Sequence, residues 1–396
     1  MWPPFSSMPL LFLVMVKPLT DAFYEVEEVK YVYILLLVGS ALFAKFGLVI
    51  QGVKANPRNK GLFSYLWLIM FYFLFHYGLA LFNGGSFSEM FKIVSPFVFF
   101  VLVAYAGDRW MIYALAGAAV LTVVVNAALM PFDFAWVNWG TVRTFKGYYY
   151  FKTDLAYALS FSVLIFAFFE KNRITPALAL LMLIAAVEVV LANSRLNYLS
   201  FLCVVIFIAA KEGISFRSVV RYSLIFGLLG VIAALLYDPE KLLGFDFDDI
   251  AAFTQGRNVT WEHLMIELEH YRLVDWLFGK GVYADLILSS QLARLGAVAH
   301  NAHNEILHMV YTEGILGFLF YIVLWVKTFR MSIGTGLPPW ARGSGAVALT
   351  LFLLQGLTAV VSSFATKTWP LVMVLIALRG VSTCQEPDDP SAPSHA

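Results

Sequence analysis

Apolar residues run through this chain in long blocks, not in the one-sided spacing of a helix that faces water. Blocks close to the roughly 20 residues needed to cross a hydrocarbon layer fall at about 5–23, 31–51, 61–82, 90–106, 110–130, 154–169, 175–193, 196–210, 221–237, 305–326, 344–363 and 368–380. This pattern predicts an all-α polytopic membrane protein with about twelve transmembrane helices. The first, eighth and last blocks are short or interrupted, the first by Lys17, Pro18 and Asp21, and need tilt or local thinning of the bilayer. Asp238 to Glu313 is the only long polar interval. The chain therefore divides into helices 1–9 (residues 1–237), a long loop (238–304), helices 10–12 (305–380) and a polar, proline-rich tail (381–396) expected to be disordered and cytoplasmic.

Composition narrows the class. Of 396 residues, 60% are hydrophobic and only 13% charged, against about 25% charged in soluble proteins. A net charge of +1 gives no reason to expect nucleic acid as a partner; membrane lipids are the expected surroundings. Cys203 and Cys384 offer neither a disulfide framework nor a CxxC metal pair. The run Pro9 to Val16 lacks the basic start and small-residue cleavage site of a signal peptide. With both termini inside, thirteen Lys and Arg residues fall in inner loops and eight on the outer side, once the long loop is set aside. That asymmetry places the 238–304 loop outside. Four of the eight (Arg143, Lys146, Lys152 and Arg195) then stand on the side that should be poor in cations, and an anionic ligand explains them.

The stretch RTFKGYYYFKTDLA combines Arg143, Lys146 and Lys152 with Tyr148, Tyr149, Tyr150 and Phe151. The tyrosines are read as interface anchors or as ligand contacts. Arginine binds phosphate through two parallel hydrogen bonds, and lysine binds it as a point charge. Arg195 sits in a tight NSR turn, where it snorkels to water, pairs with Glu188 or meets an anion. Lys45 and His76 lie within spans and read as structural. In the loop, Trp261, Leu264, Met265, Leu268 and Tyr271 recur at three- and four-residue spacing, which predicts a helix lying on an apolar surface. The glycines of LFGKG predict a tight return. The acidic run Asp246, Asp248 and Asp249 reads as solvated loop.

The loop ends in HNAHNEILHMVYTEGILG. Its histidines admit three readings. One is general acid–base work near neutral pH. Another is a metal site from His300, His303 and His308 with Glu305, whose spacing matches no strong zinc signature. The third is polar capping of the tenth helix.

His303-Asn304 followed after nine residues by Gly314-Ile315-Leu316-Gly317 resembles the histidine motif of the O-antigen ligase/polymerase superfamily, bacterial enzymes that transfer glycans from undecaprenyl diphosphate. GRNVTWEHLMIELEHYRLVDWLFGKG is similar to the pattern that precedes that motif. Ser194-Arg195 resembles the family's serine-arginine turn, and Gly147 to Ala156 resembles a segment of its exopolysaccharide polymerases. The likeness spans roughly 143–320; the triple tyrosine departs from the pattern. It implies a GT-C-like, inverting glycosyltransferase of the inner membrane with its active site in the periplasm, needing no metal and no other cofactor. His303 would be the catalytic base, and Arg257 and Arg195 would bind the donor diphosphate. Arg143, Lys152, Tyr148 and Asn304 would complete the substrate site. The partners implied are an undecaprenyl-diphosphate-linked glycan donor and a glycan or lipid A–core acceptor. Polymerase is favoured over O-antigen ligase, and a lipid-linked glycan transporter is the more distant alternative.

The orientation has a direct check. A cysteine introduced at Ser290 is expected to react with a membrane-impermeant thiol reagent when only the outer membrane is permeabilised. Labelling only after the inner membrane is breached would reverse the assignment.

Overall fold

A computed structural model of the protein describes residues 3–23, 26–50, 60–83, 87–106, 110–139, 142–211, 257–282, 284–294, 303–333, 337–357, 359–360 and 365–384. The block at 221–237, the Asp246–Asp249 run, His300 and the tail from 385 lie outside these residues. Fourteen α-helices are present among the described residues. Eight precede the polar interval: α1 (Met8–Thr20), α2 (Glu27–Ile50), α3 (Lys60–Asn83), α4 (Phe87–Ala106), α5 (Met111–Leu129), α6 (Lys152–Phe169), α7 (Pro176–Ala192) and α8 (Arg195–Lys211). Three short ones belong to the loop: α9 (Arg257–Glu269), α10 (Leu273–Phe278) and α11 (Ala284–Arg294). Then come α12 (Glu305–Ser332), α13 (Pro339–Gly356) and α14 (Ala365–Cys384). The stretches 5–23, 28–46, 61–81, 111–129, 152–169 and 305–332 are long and apolar enough to cross a membrane.

The all-α expectation holds, with one addition. A two-stranded antiparallel hairpin, β1 (Trp136–Trp139) and β2 (Val142–Phe145), fills the link between α5 and α6, pairing Trp136 with Phe145 and Asn138 with Arg143. β-branched and aromatic residues on both sides of Gly140-Thr141 carry that signal; a reading scaled to 20-residue blocks passes over four-residue strands.

Helix α6 is the axis of the bundle. Of its membrane-length window 78% is buried, against 22% for α2, and α5, α7, α8, α13 and α14 all pack on it. On the outside, Leu35, Leu42, Phe46, Phe63, Phe71 and Leu81 are 61–71% exposed. Leaving a large apolar side chain in water forgoes about 1.5–3 kcal/mol. Six of them together rival the whole stability of a domain, about 5–15 kcal/mol. That surface belongs in lipid, and the fold is that of an α-helical membrane protein.

Polar contacts define the two ends. Asn197 Nδ2 donates to Thr153 O at 3.1 Å and Thr366 Oγ1 to Asp154 Oδ2 at 2.8 Å, so the starts of α6, α8 and α14 meet. Val360, just ahead of α14, packs with Leu264, Leu268, Tyr271 and Tyr311, which brings α9 and the start of α12 to the same end. The predicted apolar stripe of α9 is buried at Leu264 and Leu268, whereas Met265 is exposed. At the opposite end Lys327 Nζ reaches Ser64 Oγ at 3.1 Å and Arg379 Nη1 donates to Met331 O at 2.8 Å.

Helix α12 is broken at Gly314, whose backbone (φ 67°, ψ −175°) is not helical. The break releases the carbonyls of Tyr311 and Thr312. The glycine-rich return of the loop fills it: Lys280 N donates to Tyr311 O and Gly281 N to Thr312 O, each at 2.9 Å. Tyr271 Oη donates to Tyr311 O at 2.8 Å. The backbones touch so closely that a Cβ on Gly314 would stand 2.5 Å from the Leu277 carbonyl, and one on Gly279 2.4 Å from that of Thr312.

Gly314→Ala is therefore expected to undock the loop. The cost should be at least about 1–3 kcal/mol, typical of a residue forced into left-handed backbone and towards the upper end for single substitutions. The readouts are a lowered melting temperature in detergent and new protease cleavage between 270 and 282; unchanged values in both would refute the wedge.

Candidate active site

The site is built at the end of the bundle where the loop docks. Asn304 caps α12: its Oδ1 accepts from Ile306 N at 3.0 Å and Leu307 N at 3.1 Å. The capping reading thus describes Asn304, whose carbonyl oxygen is engaged with the helix start. His303, directly before it, is half-buried and holds left-handed backbone at φ 47°, a conformation that non-glycine residues adopt infrequently and that concentrates at functional sites.

One turn into α12, His308 is buried. Its Nδ1 donates to Asp285 Oδ2 at 2.8 Å, joining α11 to α12. A carboxylate on Nδ1 fixes which imidazole nitrogen faces away from it, an arrangement common to structural and proton-transferring histidines. Glu305 is buried beside it. Deeper, at the helix break, Tyr72 Oη donates to Glu313 Oε2 at 2.9 Å, and His76 Nε2 stands 3.2 Å from the same oxygen. His76, read as structural, is fully buried within this group. Lys45, read the same way, lies 4.7 Å from the centre of the Tyr105 ring.

The loop return carries its own clamp. Asp275 Oδ2 accepts from Arg272 N at 3.1 Å and Arg272 Nε at 3.2 Å, and Lys280 Nζ stands 3.1 Å away. The Arg272 side chain above all, with the Arg272 amide and Lys280 also assisting, holds the Asp275 carboxyl down to about 2 against the opposing effect of its burial. Burial pushes the Tyr271 hydroxyl up, which keeps it the neutral donor that Tyr311 O requires.

A second group of predicted residues gathers at the start of α6. Lys152 Nζ donates to Asn193 O at 3.2 Å, and Asn193 is the left-handed residue (φ 47°) that ends α7 one position before Ser194-Arg195. The NSR turn is as tight as its sequence implied, with α8 starting at Arg195 itself. Gly147 (φ 58°) is required: a Cβ there would fall 1.8 Å from Asn126 Oδ1, which accepts from Tyr148 N at 3.1 Å. Tyr148 stacks on Tyr149 with ring centres 4.6 Å apart. Arg143 is held on the hairpin, with Nη2 donating to Asp133 Oδ1 at 2.6 Å and the guanidinium 5.2 Å from the Trp136 ring centre. Its pairing is thus with a carboxylate in the short turn that precedes β1.

The structure thus joins Lys152 to the turn that carries Ser194-Arg195, and sets His303 and Asn304 at the same end, whereas Tyr148 packs on Tyr149 and bonds through its amide to Asn126. Arg257 and Arg195 open α9 and α8; their side chains, and with them the pairing of Arg195 with Glu188, lie outside the described residues. Among the described residues no three His, Cys, Asp or Glu side chains are placed to hold a metal ion. Sequence reasoning missed Asp285, Glu313 and Tyr72, because each acquires its partner through contacts 23 to 241 residues away in the chain. No protein-family model matches the chain, and no curated protein matches it in sequence.

Asp275 makes docking pH-dependent in a defined direction. A carboxyl lowered on folding stabilises fully above its ordinary value, about 3.9, and that contribution is lost as pH falls towards the folded value of about 2. Rate-corrected hydrogen exchange at Lys280 and Gly281 is expected to accelerate about tenfold or more between pH 4 and pH 2. Asp275→Asn should exchange faster at pH 7 and lose that dependence; a wild-type profile in the variant would discount the clamp.

Proposed function

We propose that this chain is an inverting, metal-independent glycosyltransferase that moves a glycan from undecaprenyl diphosphate to a hydroxyl acceptor. Its setting is the outer face of the bacterial inner membrane, within a GT-C-like bundle of about twelve spans, and its favoured role is surface-polysaccharide polymerase. The contact that carries this reading is Lys152 Nζ on Asn193 O at 3.2 Å. It brings together two segments, Gly147–Ala156 and Ser194-Arg195, that resemble one superfamily separately and lie about forty residues apart in sequence. An ammonium and a turn bearing arginine at one end of a bundle suit the developing charge of a diphosphate leaving group. Stabilising such charge commonly contributes more to an enzyme's rate than any other single effect. His303 is the base that takes the acceptor proton as the hydroxyl attacks the anomeric carbon. His308 and Asp285 hold the loop against α12 behind it.

A transporter built on a broken helix uses the freed backbone groups to bind its cargo. Here the carbonyls released at Gly314 accept from Lys280, Gly281 and Tyr271, which favours the enzyme. An O-antigen ligase shares the same chemistry and differs in acceptor. Deletion separates the two: a polymerase leaves glycans of one repeat, whereas a ligase leaves full-length glycan on undecaprenyl diphosphate.

Purified protein supplied with a lipid-linked donor tests the chemistry. His303→Ala is expected to lower turnover about 10²-fold or more with donor binding nearly intact. Arg257→Lys and Arg195→Lys should recover only part of what the alanine variants lose, since lysine cannot bind phosphate bidentately. Near-normal turnover in His303→Ala, or activity abolished by chelator and restored by a divalent ion, would sink the assignment.

A further inference from the structure

The loop expected to stand in water dips below the ends of the helices at α10. Both flanks of this short helix are pinned to one carbonyl of α12, since Tyr271 Oη and Lys280 N donate to Tyr311 O at 2.8 and 2.9 Å. Tyr311 lies six residues past the start of α12, about 9 Å along the axis at a rise of about 1.5 Å per residue. Helix α3 provides an independent gauge. Phe278 stacks on Phe75 with ring centres 6.3 Å apart. Phe75 lies eight residues before Asn83, the end of α3 on the loop's side, which is about 12 Å by the same rise. Two helices thus place α10 beneath the rim of the bundle.

The side of α10 that faces away from the protein is apolar. Leu273 is 75% exposed and Val274 62%, and Phe278 joins them one turn on. The other side is engaged, with Asp275 held by Arg272 and Lys280 and Trp276 packed on Tyr271 at 5.7 Å. Both neighbours of α10 are lipid-facing at this level. On α3, Leu74 and Leu81 are exposed, and Leu81 stands six residues nearer the rim than Phe75, so the apolar wall of α3 continues outward past α10. On α12, exposed Ile315 follows Gly314, whose backbone lies against the Leu277 carbonyl. A single exposed leucine needs no explanation, whereas a continuous apolar patch marks a contact surface.

We propose that α10 is seated in the membrane leaflet on the loop's side, with Leu273, Val274 and Phe278 against phospholipid acyl chains. The occupant follows from continuity: this face extends the lipid-facing walls of α3 and α12 on either flank, at a depth both helices fix. The backbone suits the setting as well. A segment in hydrocarbon must satisfy its own polar groups. Here Asp275 Oδ2 accepts from Arg272 N at the helix start, Gly279 N donates to Asp275 O at its end, and the next two amides bond to α12. Arg272 stands at the edge of the apolar face, its side chain 81% exposed. A long basic side chain so placed carries its charge up to the headgroups while the helix stays among the chains.

The test is nitroxide accessibility in the full-length protein, carrying Cys203→Ser and Cys384→Ser and reconstituted in phosphatidylcholine nanodiscs. Oxygen concentrates in hydrocarbon, and a nickel chelate stays in water. A label on Val274→Cys is expected to favour oxygen, as does one on Leu35→Cys in the lipid-facing wall of α2. Its relaxation by nickel should be several-fold below that of a label on Ser290→Cys, an exposed position of α11. Leu273→Cys repeats the measurement at a second exposed position, so that loss of one variant leaves the other. Nickel access equal to that at Ser290 would place α10 in water and overturn the proposal. A label shielded from both oxygen and nickel would mean that protein covers this face, and would overturn it too. No glycan donor is present, so the outcome stands apart from the glycan-transfer reading.

Discussion

Two glycine backbones pressed together, Gly279 in the loop and Gly314 in α12, set the position of nearly everything else at the polar end of this protein. A helix interrupted at membrane depth leaves carbonyls without partners, at roughly 1–3 kcal/mol for each buried unsatisfied group. The chain answers with the backbone of its own loop, whose amides at Lys280 and Gly281 reach the carbonyls of Tyr311 and Thr312. No side chain longer than hydrogen fits at either glycine, so the contact has one register. That register fixes the loop's return against α12, close to where Asp285 meets His308. Irregular backbone at such depth is tolerated only where protein or trapped water covers it, and here the cover is protein.

The rest of the bundle faces a different constraint. Lipid tails are as apolar as leucine, so burying one apolar helix against another gains little over leaving it in the bilayer. Partner choice falls to close packing and to polar contacts. Both are visible around α6: Thr366 and Lys367 of α14 reach Asp154, Asn197 of α8 reaches Thr153, and Lys152 reaches the end of α7. Small residues allow the closest approaches, as where a Cβ on Gly117 would meet Met15 at 3.0 Å. Buried charge is expensive, and Asp154 and Lys17 both meet that cost with a partner of opposite sign.

Two cavities open near the start of α14 and share part of their walls. Lys17, Asp21 and Trp369 line both, and the smaller reaches Tyr149, which adjoins the Tyr148–Lys152 segment.

Sequence alone determined the elements that depend on chain-local properties. Eleven of the twelve apolar blocks correspond to α1–α8 and α12–α14, and the block at 221–237 lies outside the described residues; apolar composition within about 20 residues suits a helix to a bilayer. The NSR turn and the glycine return were legible for the same reason: left-handed backbone and tight reversal are written into Asn193, Gly279 and Gly281. The strands 136–139 and 142–145 rest on local aromatic and β-branched residues too, but at four residues each they are too short to register among 20-residue blocks. What only the tertiary structure decided were the pairings across long separations: His308 with Asp285, Glu313 with Tyr72, and Asp154 with Thr366. Lys17, Lys30 and Lys92 counted in sequence as three ordinary cations near helix ends. They line one cleft because helix rotation and packing, which membrane-embedded apolar faces leave almost undetermined, turn their three faces the same way.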